Sequence, residues 1–364
     1  MKIAIVGSKG IPAKYGGIQN VVEKLAEGLA KLDCDVTVFS YSYYSDVKKK
    51  KFAYKGFQVI NTKGIRTKHL DAISHSFIAT LKASITKEYE IIAFVSTASA
   101  FWAFIPKLFG KKVVFHSHGL EFLGYKWSRL DKLLMKFLIR MTAWPLDGVT
   151  SVSSSQIGEL NKAYRVKAKL IPNGIYYQEQ KRNAKPQKNI LFVGRIVQEK
   201  GLETLIAAFQ AISPQFPQFA LKIVGEAVYS SPYYQQLQKA AGPSEKIEFA
   251  GSKYGEELSE LYKSAYCIVI PSHIESFSIV LLEALMHNGA VICSDIAQFK
   301  DIADGYVEFF EKGSTAALSS KLSYLLEKQS NRLALQQKAE NFPFHQYDWN
   351  TITQEYHNFY EALS

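Results

Sequence analysis

The sequence predicts an α/β protein built from two doubly wound domains. Short apolar runs of strand length alternate with longer runs of helical periodicity, which is the rhythm of βαβ units and of a parallel sheet covered on both faces. The rhythm breaks once, at the polar stretch from Tyr177 to Lys188, and then restarts. The chain, at 364 residues, also exceeds the size at which a single hydrophobic core usually stops growing.

In chain order, Ile3–Val6 reads as a first strand and is too short for a signal peptide. A helix over Ile18–Leu32 follows, with Val21, Val22, Leu25, Leu29 and Leu32 on one face. Further strands are expected at Val36–Ser40, Ile91–Val95, Val113–His116 and Gly148–Val152. The uncharged run from Ile91 to Pro106 is shorter than the roughly 18–20 residues a membrane span needs, so it reads as a buried strand and a helix. After Lys169–Gly174, where a strand ends at a turn, strands recur at Ile190–Gly194, Leu221–Val224, Ile247–Phe249, Cys267–Ile270 and Ala290–Cys293. The expected domains are residues 1–172 and 173–345. A last helix within 346–364, carrying Ile352, Tyr356, Phe359 and Tyr360, is expected to return to the first domain with Tyr347 and Trp349 at the crossover.

Composition narrows the class. Hydrophobic content of 47% with 21% charged residues is globular, not disordered. Cys34, Cys267 and Cys293 are odd in number and far apart, with no metal or disulfide spacing, which favours a reducing compartment. A net charge of +11 points to an anionic partner. Lys48–Lys51 and Lys55 interleave with Tyr41, Tyr43, Tyr44, Phe52 and Tyr54, and Lys126, Arg129, Lys132, Lys136 and Arg140 recur at helical spacing between apolar residues. The second pattern is a basic amphipathic helix of the kind that lies on anionic lipid. No nucleic-acid module is visible, so nucleic acid is not expected as a partner.

The densest chemistry lies in Ser272–Glu283. Glu275 and Glu283 bracket a Ser276–Phe277–Ser278 loop between a strand ending at Ile270 and an apolar helix. That places carboxylates and helix-start amides at the C-terminal edge of a parallel sheet, where open α/β folds bind ligands. Hydroxyls and phosphates on one ligand would suit them. Gly194-Arg195 and Lys200-Gly201 put two cations on one strand-to-helix loop, as a diphosphate requires. Gly225 ends another strand. In the first domain, Gly16-Gly17 precede a helix, where glycine permits close backbone approach, although the loop lacks the dinucleotide G-x-G-x-x-G pattern. His116 and His118 follow a buried strand; with Glu121 they could suggest a metal site, but no clear third ligand stands beside them. Asp33-Cys34-Asp35 reads as a turn.

Glu275 and Glu283, with Gly194-Arg195 and Lys200-Gly201, resemble the E-x7-E and G-R…K-G signatures of retaining glycosyltransferases of family 4, which have the GT-B fold of two Rossmann-like domains facing a central cleft. Gly10-Ile11-Pro12, Tyr15-Gly16-Gly17, Gly119-Leu120-Glu121 and Lys126-Trp127 more narrowly resemble a bacterial subgroup that includes rhamnosyltransferases of polysaccharide assembly. The resemblance implies transfer from a nucleoside diphosphate sugar to a hydroxyl of a glycan or lipid-linked acceptor, with no metal or other cofactor. It implies that Arg195 and Lys200 meet the diphosphate and Glu283 the ribose. Glu275 and His118 would meet the donor sugar. Gly16, Gly17, Gly194, Gly225 and the Ser276, Phe277 and Ser278 amides would line the donor site. It also implies a place on the cytoplasmic face of an anionic membrane. A sugar-nucleotide epimerase of the same fold, or a non-catalytic nucleotide-sugar-binding subunit, would share much of this pattern. Turnover without an acceptor would mark the epimerase.

Overall fold

The computed structural model describes residues 1–13, 17–65, 71–119, 144–177, 186–227 and 231–363. The chain forms two compact units, Met1–Gly174 with His345–Ser364 and Ile175–Phe344. The basic stretch 126–140, Glu121, Tyr15 and Gly16 lie outside the described residues.

In the first unit the strands are β1 (Lys2–Ser8), β2 (Asp35–Tyr41), β3 (Lys51–Tyr54), β4 (Phe57–Thr62), β5 (Ile91–Phe94), β6 (Lys112–Ser117), β7 (Gly148–Ser151) and β8 (Lys169–Leu170). They form one sheet in the order β3-β4-β2-β1-β5-β6-β7-β8, parallel throughout except for the β3–β4 hairpin. Ile3, Ala4, Ile5 and Val6 are all fully buried, because helices cover both faces of the sheet. The Gly17–Lys31 helix buries Val21, Val22, Leu25 and Leu29. Its Gly28 faces Thr353 so closely that a Cβ would collide with the threonine side chain. Glycine thus lets the chain's last helix, Trp349–Glu361, lie against it. That helix buries Trp349, Ile352, Tyr356 and Tyr360 in this unit.

In the lysine–tyrosine stretch 41–55, Lys48–Lys51 and Lys55 are all exposed. Its last third, Lys51–Lys55, enters an edge hairpin, and Lys55 sits at the hairpin turn with φ 45°. Its ammonium donates to Glu23 Oε1 at 2.7 Å, and Glu23 Oε2 accepts the Ala13 amide at 2.7 Å. Glu23 is almost fully buried, so this ion pair holds the hairpin and the loop after β1 together and removes one lysine from the free positive charge.

In the second unit the strands are β9 (Asn189–Val193), β10 (Ala220–Val224), β11 (Ile247–Phe249), β12 (Cys267–Ile270), β13 (Val291–Ser294) and β14 (Glu308–Phe310). All are parallel, in the order β11-β10-β9-β12-β13-β14. Successive strands are added outward to one side from β9 and to the other from β12, and at such a switch point the strand ends leave a crevice. Ile190, Phe192, Leu205, Phe209, Ile223, Val269, Ile292 and Leu322 form the core of this unit. The three cysteines are free and buried.

Candidate active site

The β9–β12 switch point gathers most of the sequence's candidates. Gly194 and Arg195 follow β9, and a short turn, Gln198–Lys200, leads through Gly201 into the Leu202–Ile212 helix. Residues 271–278 follow β12 and lead into the Ile279–Met286 helix. The two loops are joined by their backbones, with the His273 amide donating to the Glu199 carbonyl at 2.8 Å. Gly201 has φ 64°, and a Cβ there would strike the Pro271 carbonyl oxygen. Only glycine meets both demands.

At this junction the Lys200 ammonium pairs with the Glu275 carboxylate. Ser272 Oγ donates to the same Glu275 oxygen at 3.0 Å. From β13, Ser294 Oγ donates to the Ser272 carbonyl at 2.5 Å. Three strand ends therefore fix one carboxylate. Arg195 is exposed at the same edge. The sequence presents Lys200 and Glu275 as separate contributors, but the fold makes them a pair. Around them, His273 Nε2 lies 3.0 Å from Glu203 Oε1, and the Tyr233 hydroxyl donates to Glu203 Oε2 at 2.5 Å.

Glu283 occupies the second turn of the Ile279–Met286 helix. Burial pushes its carboxyl above the usual range, and a 2.9 Å hydrogen bond from the Tyr262 hydroxyl to Oε2 works the other way. Tyr262 is itself buried, stacks on His287 with ring centroids 5.4 Å apart, and has its phenol pushed up by burial beside that carboxylate. Sequence reasoning missed Tyr262 and Ser272. Tyr262 comes from another helix 21 residues away, whereas Ser272 stands only three residues before Glu275, and that spacing is the signal that could have found it.

The remaining candidates occupy distinct positions. Ser278 is the helix N-cap, and its Oγ accepts the Leu281 amide at 3.2 Å. Ser276 and Phe277 precede the cap, so the helix-start amides are those of Ile279 and Val280, not theirs. The Gly194 amide already donates to the Val224 carbonyl at 2.9 Å and is not free for a phosphate. At Gly225 a Cβ would collide with the Gly194 carbonyl, so close approach of the β9 and β10 ends accounts for that glycine. Gly17 opens its helix without a positive φ, and a Cβ there would meet open space. Neither backbone conformation nor a close neighbour explains that glycine.

His116 and His118 differ sharply. His116 is buried on β6, with Nδ1 2.8 Å from Thr150 Oγ1 and Nε2 2.6 Å from the Tyr360 hydroxyl. Burial lowers its pKa to about 3. His118 lies past the end of β6, not on the strand beside His116. Its Nδ1 is enclosed with no hydrogen-bond partner among the described residues, and burial lowers its pKa to about 4. Among the described residues, no group of three or more histidines, cysteines or carboxylates could hold a metal ion.

Residues 15–179 match the family described as Glycosyltransferase Family 4, and residues 177–342 match Glycosyl transferases group 1. An uncharacterized glycosyltransferase of Methanocaldococcus jannaschii is 25% identical across 99% of this chain and 98% of its own. The GDP-mannose:cellobiosyl-diphosphopolyprenol alpha-mannosyltransferase of Xanthomonas oryzae pv. oryzae is 26% identical across 72% of this chain and 70% of its own. The fold superposes on that of sucrose-phosphate synthase from Thermosynechococcus elongatus with a TM-score of 0.84, covering 100% of this chain and 98% of the other at 20% identity. The two family matches, one to each half of the chain, make the protein a glycosyltransferase, and its two Rossmann-like units give it the GT-B type. The chain belongs to the group 1, family 4-like glycosyltransferases.

Proposed function

We propose that the chain transfers a sugar from a nucleoside diphosphate sugar to a hydroxyl of a glycan or lipid-linked acceptor, retaining the anomeric configuration. The observation that carries this reading is the Lys200–Glu275 pair at the β9–β12 switch point, with Arg195 at the same edge and Glu283 on the following helix. Arg195 and Lys200 meet the charge that develops on the departing diphosphate, and such preorganised charge lowers the barrier without rearrangement. Glu275, held by Lys200 and Ser272, orients the sugar hydroxyls. Glu283 accepts from the ribose hydroxyls, and His118 contacts the donor sugar. The Ile279 and Val280 amides add partial positive charge. Under this reading two cations and a helix N-terminus neutralise the leaving group, so no metal or other cofactor is required.

In the reaction the anomeric carbon–phosphate oxygen bond breaks and a bond to the acceptor oxygen forms on the same face. The departing phosphate oxygen takes the acceptor's proton. No protein nucleophile is invoked, so positioning and charge supply the catalysis. The sugar is a hexose or a deoxyhexose such as rhamnose, carried on UDP, GDP or dTDP. The mannosyltransferase relative, whose name gives a GDP-mannose donor and a diphosphopolyprenol-linked acceptor, supports a lipid-linked acceptor.

Thermal-shift titration with UDP-, GDP- and dTDP-sugars, on wild type and Glu283→Ala, tests the donor site. Stabilisation by one nucleotide series, lost in the variant, is the expected result. No stabilisation by any series would overturn the reading. Turnover of the donor without acceptor would replace it with an epimerase.

A further inference from the structure

The helix Asp71–Ile85 is inverted with respect to its sheet. It buries His75, Ser76, Ala79, Thr80, Ala83 and Ser84, while its four exposed positions are Ile73, Phe77, Leu81 and Ile85. A helix on a soluble surface normally presents polar side chains there. Small buried residues let it approach the sheet closely, and the bulk faces outward. The apolar surface continues onto the Phe104–Leu108 helix, which packs against it. Trp102 bridges the two helices, with its ring 4.8 Å from that of Phe77 and its indole N–H donating to the Ile73 carbonyl at 3.0 Å. Phe104 and Phe109 are exposed, and Leu108 is 78% exposed. A contiguous apolar surface of this kind marks an interaction site.

Its charge identifies the occupant. Residues 71–112 hold five lysines against three acids, Asp71, Glu88 and Glu90. Lys107 is paired with Asp147 at 2.6 Å, and Lys111 donates to the Thr86, Lys87 and Tyr89 carbonyls. Lys82, Lys87 and Lys112 remain at the surface, and the adjacent Glu88 is paired with Lys2 at 2.8 Å. An apolar face edged by lysines complements a lipid surface with anionic headgroups, where aliphatic and aromatic side chains enter the acyl boundary and ammonium groups stay at headgroup level. A two-fold contact with a second copy would set the same lysines against one another.

We propose that the face formed by Ile73, Phe77, Leu81, Ile85, Phe104 and Leu108 seats the protein on a bilayer surface containing anionic lipid. No described helix is long and apolar enough to cross a membrane, so the attachment is peripheral at these residues. The proposal does not depend on the donor-site reading.

Cosedimentation of the full chain with vesicles of phosphatidylcholine, alone or mixed with phosphatidylglycerol, provides the test. Wild type is expected to sediment with the anionic vesicles. The double variant Phe77→Ser with Leu81→Ser and the single variant Leu108→Ser should lose this while keeping the wild-type unfolding midpoint. Lys82→Glu with Lys87→Glu should lose the preference for phosphatidylglycerol. Equal sedimentation of wild type and the serine variants would overturn the assignment of the face. So would a concentration-dependent dimer, in sedimentation velocity without vesicles, that the serine variants abolish. Nucleotide-induced stabilisation, measured alongside, reads the donor site separately, and its absence would leave the vesicle result standing.

Discussion

The imidazole of His116 and the phenol of Tyr360, 244 residues apart in the chain, lie 2.6 Å from each other in the interior of the first unit. With Thr150 on the other ring nitrogen, both nitrogens of His116 are occupied. This contact ties the chain's last helix to β6 and identifies His116 as a structural residue. Removing the hydroxyl with Tyr360→Phe leaves a buried nitrogen unpaired, which costs on the order of 1–3 kcal/mol. Urea unfolding followed by fluorescence should show a lower midpoint for the variant, and an unchanged midpoint would contradict the tie.

Stability should fall in mild acid. Burial lowers the pKa of both His75 and His116 to about 3, against an ordinary value of 6.5. Below about pH 6.5 the unfolded chain binds protons that these folded histidines refuse, so the stabilisation is complete above that pH and declines toward about pH 3. Each histidine contributes a slope of up to roughly 1.4 kcal/mol per pH unit within that window. Thermal unfolding between about pH 7 and pH 5 measures it, and a flat midpoint would mean that the folded histidines accept protons readily.

Lys200 and Glu275 should act as one unit. Arg195→Ala is expected to lower kcat by about 10²–10³, the effect of losing a preorganised charge donor. Lys200→Met and Glu275→Gln should each lower kcat, and the double variant should lose less than the sum, with a coupling of about 0.5–3 kcal/mol. A double-mutant cycle on kcat with a saturating donor supplies the test. Strict additivity would mean that the pair does not work together in the reaction.

Tyr262→Phe should alter the pH dependence of donor binding. The Tyr262 hydroxyl favours the charged form of Glu283, whose carboxyl burial has already raised. Without it the carboxyl rises further, so the acid limb of nucleotide affinity moves to higher pH. Titration calorimetry across pH distinguishes this from a packing defect, which would weaken binding equally at every pH.

Gly201→Ala should destabilise the second unit and lower kcat together. Its φ of 64° is costly for any residue with a Cβ, on the order of 1–3 kcal/mol, and the Pro271 carbonyl blocks the added methyl. Unfolding midpoint and kcat measured on one preparation check this. Normal values for both would show that the two loops part without consequence.

Much of the fold is legible in the sequence because buried parallel strands are continuous apolar runs. Ile247–Phe249 and Cys267–Ile270 are read to the residue, and most of the other expected strands end within one or two residues of their structural bounds. The β3–β4 hairpin is not legible, since Lys51–Tyr54 is short and continues directly from the lysine run Lys48–Lys50. The outward apolar face of Asp71–Ile85 escapes notice too, because its small inner residues give little contrast between faces. The coarse site is legible for a local reason. Glycines, cations and carboxylates at strand-to-helix turns mark the ligand edge of any doubly wound sheet.

By itself the sequence determined two parallel α/β units, the break between them, and the strand ends that carry charged and glycine-rich turns. Those properties depend on neighbours within a few residues, where periodicity and backbone preference operate. Only the tertiary structure decided that Lys200 pairs with Glu275, that Tyr262 orients Glu283, that His116 belongs to Tyr360, and that the glycine at Gly225 serves the approach of two strands. Each of these joins residues brought together by strand order and helix packing. They are set by burial across the whole unit, and no local pattern records them.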